Sequence, residues 1–413
     1  MHLRQLPEDH RDAFRGMVNY AFRPEDGPDW EDRDREDPDL FTPLGFYDAP
    51  PDPDPDPDSV PDVSTLRSVC GSYDFTVRVR GEWRSMPGVS AVASPPEGRR
   101  QGTVGAMLDA LLTRYREEGA AFSTLWPFEY PFYRRLGWAT CCNHAEATLP
   151  PGQLADVVPD PRGEFRRLTL DEDLSAVRAV HEAWATESLA VRRTEGWWRE
   201  RVFRGWQTDP YVFGWFDGEE SLRGYLVYTI DEDDGDGRTM RVWERAAADD
   251  EARGHLLRFC RDHDSQVESV TFRTLPEWAR PIDELPDPRA ATLEVKPGPM
   301  VRVVDVAEAL STLSYDARES VVLDVDDDRC AWNDGTFELR VDAAGAHVRR
   351  LDGGAAEAPD AELDIGALSQ LTVGARDAAE LERAGDLTVA DASVRATLDA
   401  LFPRERAFLR EGF

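Results

Sequence analysis

The stretch "PEGRRQGTVGAML" (residues 96–108) marks the junction that decides the fold of this chain. The run before it, residues 89–93, is largely apolar, and "GTVGAMLDALLTRYREEG" (102–119) has apolar residues at helical spacing. The stretch is therefore predicted to connect a strand to a helix. A glycine-bordered turn into a helix leaves the first N–H groups of that helix unpaired. Together with the helix dipole, these groups favour an anion such as pyrophosphate.

Charged and small residues in this turn are the predicted binding groups. Arg99 and Arg100 would form charge-assisted hydrogen bonds to a diphosphate. Gly102 would let the backbone approach the diphosphate because it has no Cβ, and Thr103 and Val104 follow at the helix start. The spacing P-x-x-R-x-x-G lacks the lysine of a P-loop and differs from the G-x-G-x-x-G of a parallel βαβ unit. Neither of those nucleotide-binding motifs is therefore predicted.

The composition limits the classes of partner. The chain has 413 residues, a formal net charge of −33 and a single lysine, Lys296. This charge argues against a generic nucleic-acid-binding surface, which needs a basic face, and against anionic membranes. Abundant aspartate with almost no lysine resembles the bias of proteins from salt-adapted archaea. The acidity is therefore interpreted as adaptation to a saline cytoplasm, with no partner assigned to it.

Other features of the sequence indicate the cellular compartment of the protein and exclude some kinds of chemistry. The N-terminus lacks the apolar region of a signal peptide, and no eighteen uncharged apolar residues run together, so a soluble cytoplasmic protein is predicted. The five cysteines show neither CxxC nor Cys/His ligand spacing, so no metal site and no disulfide framework is expected. The aspartate run "DVDDDRC" (324–330) is interpreted as solvated surface.

The pattern of elements predicts an α+β chain of three segments. Residues 1–160 have a first helix, a Pro/Asp-rich exposed loop at 49–62, three strands ("LRSVCGSY", "DFTVRVRGEW", "GVSAVAS"), the quoted turn, a helix and a strand. Residues 161–298 repeat this order, which indicates an internal duplication. Residues 299–413 change to strands followed by helices, as expected for a separate α+β domain.

Two motifs carry a resemblance to a known family. The turn resembles the coenzyme A pyrophosphate loop of GNAT-type N-acetyltransferases, (R/Q)-x-x-G-x-(G/A), with Arg99 and Gly102 matching and Val104 at the last small position. "LWPFEYPFYRRLGWA" (125–139) is similar to a segment of the Eis-like (enhanced intracellular survival) acetyltransferases. The residues on matching positions are Trp126, Glu129, Tyr133, Arg135 and Gly137.

The resemblance spans the chain and implies a domain order and an activity. It implies a GNAT domain, a degenerate GNAT-like domain and a sterol-carrier-protein-type domain, in the order of the three segments. It also implies direct transfer of an acetyl group from acetyl-CoA to a primary amine, either a polyamine-like molecule or a lysine side chain. Homo-oligomers, specifically hexamers, are expected on the same basis.

The resemblance also assigns roles to individual residues. Tyr133 is the expected general acid toward the departing thiolate, and the C-terminal carboxylate of Phe413 is expected to assist deprotonation of the amine. The strand at 91–94 would polarise the acetyl carbonyl at a bulge, with Val92 and Ser94 contacting the pantetheine arm through their main chain. In the second segment "ADDEARGHLL" (248–257) places acidic residues where the loop arginines stand, so that segment is expected to be structural.

Alternatives remain open for each of these assignments. Tyr133 would also suit a packed core position, and chain ends such as Phe413 are commonly frayed. Phe408 and Leu409, close to the end, favour docking of the tail. The alternative to an enzyme is a scaffold or lipid-binding protein that uses residues 300–413. A lipid-binding function would require a continuous apolar tunnel within residues 300–413.

Overall fold

A computed structural model describes residues 1–27, 37–48, 61–155, 158–205, 208–232, 237–279, 284–351 and 358–413. Most of the predicted Pro/Asp-rich loop at 49–62 therefore lies outside the described residues. The chain forms two compact units: one contains the chain from Leu40 to Cys141 together with the N-terminal region and Pro299–Phe413, and the other contains Cys142–Gly298. In the described residues no helix is long and apolar enough to cross a membrane.

Strands and helices are distributed along the whole described chain. The strands are β1 (His2–Gln5), β2 (Phe41–Tyr47), β3 (Leu66–Tyr73), β4 (Thr76–Val79), β5 (Glu82–Ser85), β6 (Gly88–Ala93), β7 (Phe122–Leu125), β8 (Ala139–Thr140), β9 (Asn143–Leu149), β10 (Glu164–Arg167), β11 (Tyr211–Phe216), β12 (Leu222–Glu232), β13 (Arg238–Ala247), β14 (Ser269–Pro276), β15 (Thr292–Pro297), β16 (Met300–Val303), β17 (Ser320–Asp326), β18 (Gly335–Asp342), β19 (Gly345–Leu351), β20 (Ala361–Asp364) and β21 (Leu387–Val389). The helices are α1 (Arg11–Phe22), α2 (Thr103–Glu117), α3 (Tyr130–Arg134), α4 (Leu170–Trp184), α5 (Glu195–Trp197, continued by a π-helical turn Trp198–Phe203), α6 (Asp250–Arg261), α7 (Val306–Thr312), α8 (Ile365–Thr372), α9 (Ala378–Ala384) and α10 (Ala392–Leu401).

The first unit contains two main sheets and a small hairpin. The first sheet has the order β1-β2-β3-β6-β7-β16-β8, in which β6 and β7 are parallel and the other neighbours are antiparallel. Helix α2 covers this sheet because its apolar residues recur at spacings of three and four and lie on one face. The second sheet, β19-β18-β17-β20-β21, belongs to the C-terminal region.

The second unit is built on one sheet, with the order β10-β11-β12-β13-β14-β9-β15. Strands β13 and β14 are parallel, and β10 to β13 form an antiparallel meander. Helix α6 connects β13 to β14, as α2 connects β6 to β7 in the first unit. Its core consists of residues such as Trp215, Met240 and Phe272 from the strands and Leu256 from α6. The mixed α+β class predicted from the sequence is confirmed.

Several predicted elements differ in the structure. "DFTVRVRGEW" is not a strand of the first sheet: it folds as the hairpin β4–β5, which turns at Arg80 and Gly81. Strand β2 was missed because Pro43 and Gly45 interrupt its apolar pattern. It lies between β1 and β3. A strand pattern alone does not identify the pairing partner, so only the folded sheet distinguishes these arrangements.

Two strands belong to a different sheet from the one their sequence position suggests. Strand β9 joins the sheet of the second unit, which contains Cys142–Gly298 together with the described residues 37–39. Strand β16, which opens the predicted third segment, lies between β7 and β8 in the first sheet. All four β16 residues are buried, and their pairing partners lie far earlier in the chain, as Leu125 and Thr140 do for Met300. Pairing over such a distance leaves no local signal in the sequence.

A buried ion pair joins β16 to the loop after β17. Arg302 donates through Nη2 to both carboxylate oxygens of Asp327, at 2.8 and 2.7 Å, and both side chains are fully buried. Asn333 donates to Asp327 at 3.1 Å and to the Val304 carbonyl at 3.0 Å. The interpretation of "DVDDDRC" as solvated surface is therefore wrong for Asp327. Its partner lies 25 positions away, outside the local pattern.

Replacing Asp327 by alanine is expected to destabilise the first unit. The substitution leaves the Arg302 guanidinium buried without its counter-charge, which typically costs about 3–5 kcal/mol. Thermal denaturation of the full chain should show a clearly lower first transition for Asp327→Ala. Asp328→Ala, which removes an exposed neighbouring carboxylate, is the matched control. Equal midpoints for the two variants would contradict a stabilising role for the ion pair.

Candidate active site

The N-terminus of helix α2 lacks a side-chain cap. Its N-cap residue is Gly102, in the left-handed conformation (φ 78°), which has no side chain to accept a hydrogen bond from the first turn. The first helical hydrogen bond runs from the Ala106 N–H to the Gly102 carbonyl, at 3.0 Å. The N–H groups of the three residues between them therefore have no helical acceptor. A Cβ at Gly102 would meet no atom within 4 Å, so the space beside this turn is open.

The two loop arginines lie at the surface close to this helix start. Arg99 follows a single 3-10 turn, Pro96–Gly98, and its guanidinium carbon lies 5.3 Å from the ring centroid of Tyr20 in α1. Arg100 has a positive φ of 59° and is exposed. Thr103 is buried and Val104 is half-buried. The predicted diphosphate-binding residues thus surround a helix end whose N–H donors are free to bind an anion.

Strand β6 carries a bulge at the predicted position. Val69 pairs with Ala93 and Gly71 with Ser90, so two residues of β6, Ala91 and Val92, lie opposite one residue of β3. Ala91 has a positive φ of 49°, which is a strained conformation for a residue with a Cβ. A bulge of this kind turns main-chain N–H groups out of the ladder. These groups could then stabilise an oxyanion.

The sheet opens next to this bulge. Strands β6 and β7 pair at Gly88–Thr124 and Val89–Leu125, at the start of β6. In the described sheet residues 90–93 of β6 have no ladder partner on the β7 side. Their main-chain groups can therefore bind an extended ligand as an added strand would. Val92 and Ser94, the predicted pantetheine contacts, are both half-buried at this opening.

Tyr133 lies in helix α3 and is 6% exposed. Its ring packs edge-on against Phe132, with centroids 5.2 Å apart, and against Trp138, at 6.3 Å. Burial raises the pKa of the Tyr133 phenol well above its ordinary value. The phenol therefore keeps its proton at neutral and mildly alkaline pH. Val92, at the bulge, and Val104, at the helix start, pack against the hydrophobic cluster that contains Tyr133.

The other residues of the second motif have structural roles that the sequence did not reveal. Gly137 has φ 85°, and a Cβ there would lie 1.5 Å from Nη1 of Arg302, so only glycine fits. The carbonyl of Glu129, the N-cap of α3, accepts from the Phe132 N–H at 3.1 Å. Arg135 is exposed. Trp126 donates through Nε1 to the Glu411 carbonyl at 2.7 Å, which fixes the end of the chain.

The C-terminal tail, residues 403–413, is packed into the first unit. Phe408 and Leu409 are fully buried. The ring of Phe413 lies edge-on to Phe75, at 4.9 Å between centroids, and to Tyr73, at 5.6 Å. A Cβ added at Gly88, the first residue of β6, would lie 2.7 Å from this ring. The last residue of the chain therefore lies against the start of the strand that carries the bulge.

Strand β6 brings the predicted site residues together. Its first residue, Gly88, adjoins Phe413, and its second, Val89, belongs to the cluster that contains Tyr133. Its bulge follows, and the turn that leaves it carries the two arginines. The sequence predicted these residues but not Arg80, which donates to the Pro403 carbonyl of the tail, 323 positions away. No sequence signal marks such a contact. Among the described residues there is no group of three or more His, Cys, Asp and Glu side chains suited to a metal ion.

The equivalent helix start in the second unit is occupied by the protein itself. Asp249, the N-cap of α6, accepts a hydrogen bond from the Ala252 N–H at 2.8 Å and an ion-pair contact from Arg223. The bond from Ala252 lowers the pKa of Asp249, so its carboxylate stays charged. A second anion at this helix end would be repelled. The two helices that leave equivalent parallel strands thus differ in their capacity to bind a diphosphate.

Comparisons with known proteins agree with this geometry. Family models described as acetyltransferase (GNAT) domains match residues 2–141 and 189–303, and a sterol carrier protein domain model matches residues 306–410. An uncharacterized N-acetyltransferase of Streptomyces avermitilis is 28% identical over 340 residues, which cover 76% of this chain and 77% of that protein. The N-acetyltransferase Eis of Mycobacterium tuberculosis is 27% identical over 331 residues, with the same coverage.

Solved structures share the fold over the full length. A probable N-acyltransferase of unknown function from Enterococcus faecalis superposes with a TM-score of 0.83 at 23% identity, covering 100% of this chain and 99% of the other. Eis1 from Mycobacterium abscessus superposes with a TM-score of 0.75 at 23% identity and the same coverage. The domain models and the N-acetyltransferase relatives lead to one conclusion. The chain contains two GNAT acetyltransferase domains and a C-terminal sterol carrier protein domain, and it is an N-acetyltransferase.

Proposed function

We propose that the protein transfers the acetyl group of acetyl-CoA directly to a primary amine, without an acyl-enzyme intermediate. The observation that carries this proposal is the uncapped start of α2, next to the opened edge of β6. The free N–H groups of α2, with Arg99 and Arg100, would bind the diphosphate of the coenzyme. The unpaired main chain of β6 would bind the pantetheine arm and aim the thioester at the bulge.

The second GNAT domain would not bind the coenzyme. Its helix start carries Asp249, whose carboxylate already accepts the N–H bond that a phosphate oxygen would need. The proposal therefore assigns one active site to each chain, in the first domain. The second domain keeps the same order of strands and helices. It lacks free N–H donors at the start of its helix.

Each step of the transfer has a candidate group. The neutral amine attacks the thioester carbonyl carbon, and the N–H groups at residues 91–94 stabilise the oxyanion that forms. As the C–S bond breaks, the Tyr133 hydroxyl donates its proton to the sulfur, so the coenzyme leaves as a thiol. The nitrogen of the new amide loses its extra proton to solvent, and Tyr133 regains a proton from solvent. The products are the N-acetylated amine and free coenzyme A.

The amine must lose a proton before it attacks. The C-terminal carboxylate of Phe413 would accept that proton, directly or through water. A carboxylate with an ordinary pKa of about 3.5 is a weak base toward an ammonium group near 10, so it would act by orienting the amine and passing the proton on. A polyamine-like molecule or a lysine side chain suits such a site because it presents a primary ammonium group.

The resemblance also implies a homo-oligomer. Analytical ultracentrifugation of the full chain would test this oligomeric state.

The activity can be tested by measuring coenzyme A release with a panel of primary amines. We expect thiol release that depends on both acetyl-CoA and an amine, and thermal stabilisation by acetyl-CoA but not by lipids. The assay should cover low to molar potassium chloride, because screening relieves repulsion in an acidic chain, and both the rate and the midpoint should rise with salt. Stabilisation by lipid alone, with no thiol release from any amine, would reject the enzyme proposal.

Replacing Gly102 by alanine is expected to weaken acetyl-CoA binding. The new Cβ would point into open space at the helix start, where it would hold the diphosphate away from the N–H donors. We expect the KM for acetyl-CoA to rise about tenfold, as for loss of one charge-assisted hydrogen bond. Gly119→Ala is a matched control. Gly119 has φ 80° and equally open surroundings but lies at the opposite end of α2. Alanine at this position therefore causes the same backbone strain but lies away from the proposed coenzyme site. An equal rise in KM for both variants would contradict the assignment.

A further inference from the structure

The hairpin β4–β5 has an unusual residue at its tip. Its two-residue turn is Arg80–Gly81, with φ values of 48° and 83°. Positive φ at both positions is the pattern of a type I′ turn, in which asparagine, aspartate or glycine normally occupies the first position. An arginine there is strained, by about 1–2 kcal/mol relative to an ordinary conformation. A compensating interaction is therefore expected for its side chain.

The Arg80 side chain is buried against the C-terminal region. Its Nε donates to the Thr372 carbonyl at 2.7 Å and its Nη2 to the Leu371 carbonyl at 2.8 Å. These are the last two residues of α8, and the Leu371 carbonyl also accepts a hydrogen bond from the Gly374 N–H at 3.1 Å. A guanidinium at a helix C-terminus also interacts favourably with the helix dipole. Arg80 therefore caps α8 from the hairpin of the first domain.

The same guanidinium also holds the start of the C-terminal tail. Nη1 donates to the Pro403 carbonyl at 3.1 Å and lies 3.7 Å from the Glu405 carboxylate. The Glu405 N–H in turn donates to the Gly374 carbonyl at 3.0 Å, just beyond α8. One side chain thus fixes the tail relative to both the hairpin and α8. The arginine guanidinium holds its N–H donors in a fixed planar arrangement. These donors can therefore reach the carbonyls of Leu371, Thr372 and Pro403 at the same time.

The hairpin contacts the tail at both of its ends. Arg80, at the tip, holds Pro403, where the tail begins. Phe75, at the base just before β4, packs against Phe413, where the tail ends. The tail is therefore held along a defined path, and a displacement at Pro403 would be passed on to the terminal carboxylate.

We propose that Arg80 is a positioning residue that sets the path of the tail so that the Phe413 carboxylate reaches the active site. This inference rests on the proposed function, in which that carboxylate assists deprotonation of the amine. Arg80 acts through the tail and touches neither substrate nor reacting atoms. It connects a loop of the GNAT domain to the sterol carrier protein domain through a contact that serves the reaction.

The test is the kinetic comparison of Arg80→Ala with the deletion of Phe413, singly and combined. We expect Arg80→Ala to lower kcat by about 100-fold, because small displacements of a catalytic group have effects of this size. The KM for acetyl-CoA should not change, because the α2 turn is untouched. In the chain without Phe413, Arg80→Ala should cause no further loss, since both changes remove the same function. Arg80→Lys should give an intermediate kcat, because an ammonium group cannot reach three carbonyls at once.

Two further variants control for unfolding. Glu82→Ala changes an exposed side chain next to the same turn and should leave kcat unchanged. Gly374→Ala displaces the tail from its other side, because a Cβ at φ 74° would lie 2.8 Å from Cβ of Glu405. It should reproduce the loss of kcat if Arg80→Ala does not fold.

The outcomes separate the inference from the proposed function. If deletion of Phe413 lowers kcat and neither Arg80→Ala nor Gly374→Ala does, the positioning role is wrong and the proposed function stands. Multiplicative losses in the double variant would likewise overturn it. If the wild-type enzyme is active and deletion of Phe413 has no effect, the carboxylate has no role, and the inference fails together with that part of the mechanism.

Discussion

Replacing Tyr133 by phenylalanine is expected to lower kcat by about 10²- to 10⁴-fold, the usual contribution of a general acid. The change removes one hydroxyl and keeps the ring that packs against Phe132 and Trp138, so the fold should persist. Without the phenol, the coenzyme must leave as a thiolate. Because this proton donor acts on the leaving group only, the affinity for acetyl-CoA should stay at its wild-type value.

Steady-state kinetics and calorimetric titration with acetyl-CoA would measure these two effects. Tyr115→Phe is a suitable control, because Tyr115 belongs to the same cluster and its buried hydroxyl forms a 2.8 Å hydrogen bond with Ser72. Its loss should cost about 1 kcal/mol of stability without lowering kcat. A wild-type kcat for Tyr133→Phe would show that the tyrosine is only a core residue.

The pH profile gives an independent check on Tyr133. Burial raises its pKa, so the phenol holds its proton below that raised value and is lost as a donor only above it. Near pH 10, the ordinary pKa of tyrosine, Tyr133 should therefore still be protonated, and its ionisation should not lower the wild-type kcat. A decline there that disappears in Tyr133→Phe would contradict the buried environment.

Deletion of Phe413 is expected to lower kcat by about 100-fold, again with unchanged affinity for acetyl-CoA. The deletion moves the carboxylate back by one residue, about 3.5 Å along the chain. It also removes the ring that packs against Phe75 and lies close to Gly88. Both the proton acceptor and its anchor are lost, while the α2 turn is unaffected.

Extension of the chain by one glycine separates these two contributions. The ring of Phe413 would keep its packing while the carboxylate moves forward, so kcat should fall nearly as far as in the deletion. Phe413→Tyr keeps both the ring and the carboxylate in place and should retain activity. An extended chain with full activity would show that the ring, and not the charge, is what the active site needs.

The candidate site could be predicted from the sequence because its parts are local. The turn at 96–108, the apolar repeat of α2 and the segment from Trp126 to Gly137 each depend on residues a few positions apart. A helix forms its hydrogen bonds within four residues, so its start and its exposed N–H groups can be inferred from a short stretch. The same holds for the contrasting Asp249 cap of α6.

The elements that were missed depend on distant partners. The sequence of β2 is broken by Pro43 and Gly45, yet pairing with β1 and β3 on its two sides makes it a strand. The hairpin β4–β5 has the pattern of a strand of the first sheet but pairs only within itself. Asp327 stands between the exposed Asp326 and Asp328, yet it is buried beside Asn333 and the distant Arg302.

The local sequence by itself determined the α+β class, the uncapped helix start, the acidic character of the chain and which residues could carry the chemistry. Tertiary structure alone decided that β9 and β16 join sheets far from their neighbours in sequence, and that Arg80 and Trp126 hold the tail against β6. Turns and helices are stabilised by contacts between residues close in the chain, whereas strand pairing, buried ion pairs and tail docking join residues separated by 25 to more than 290 positions. Those contacts exist only once the chain has folded.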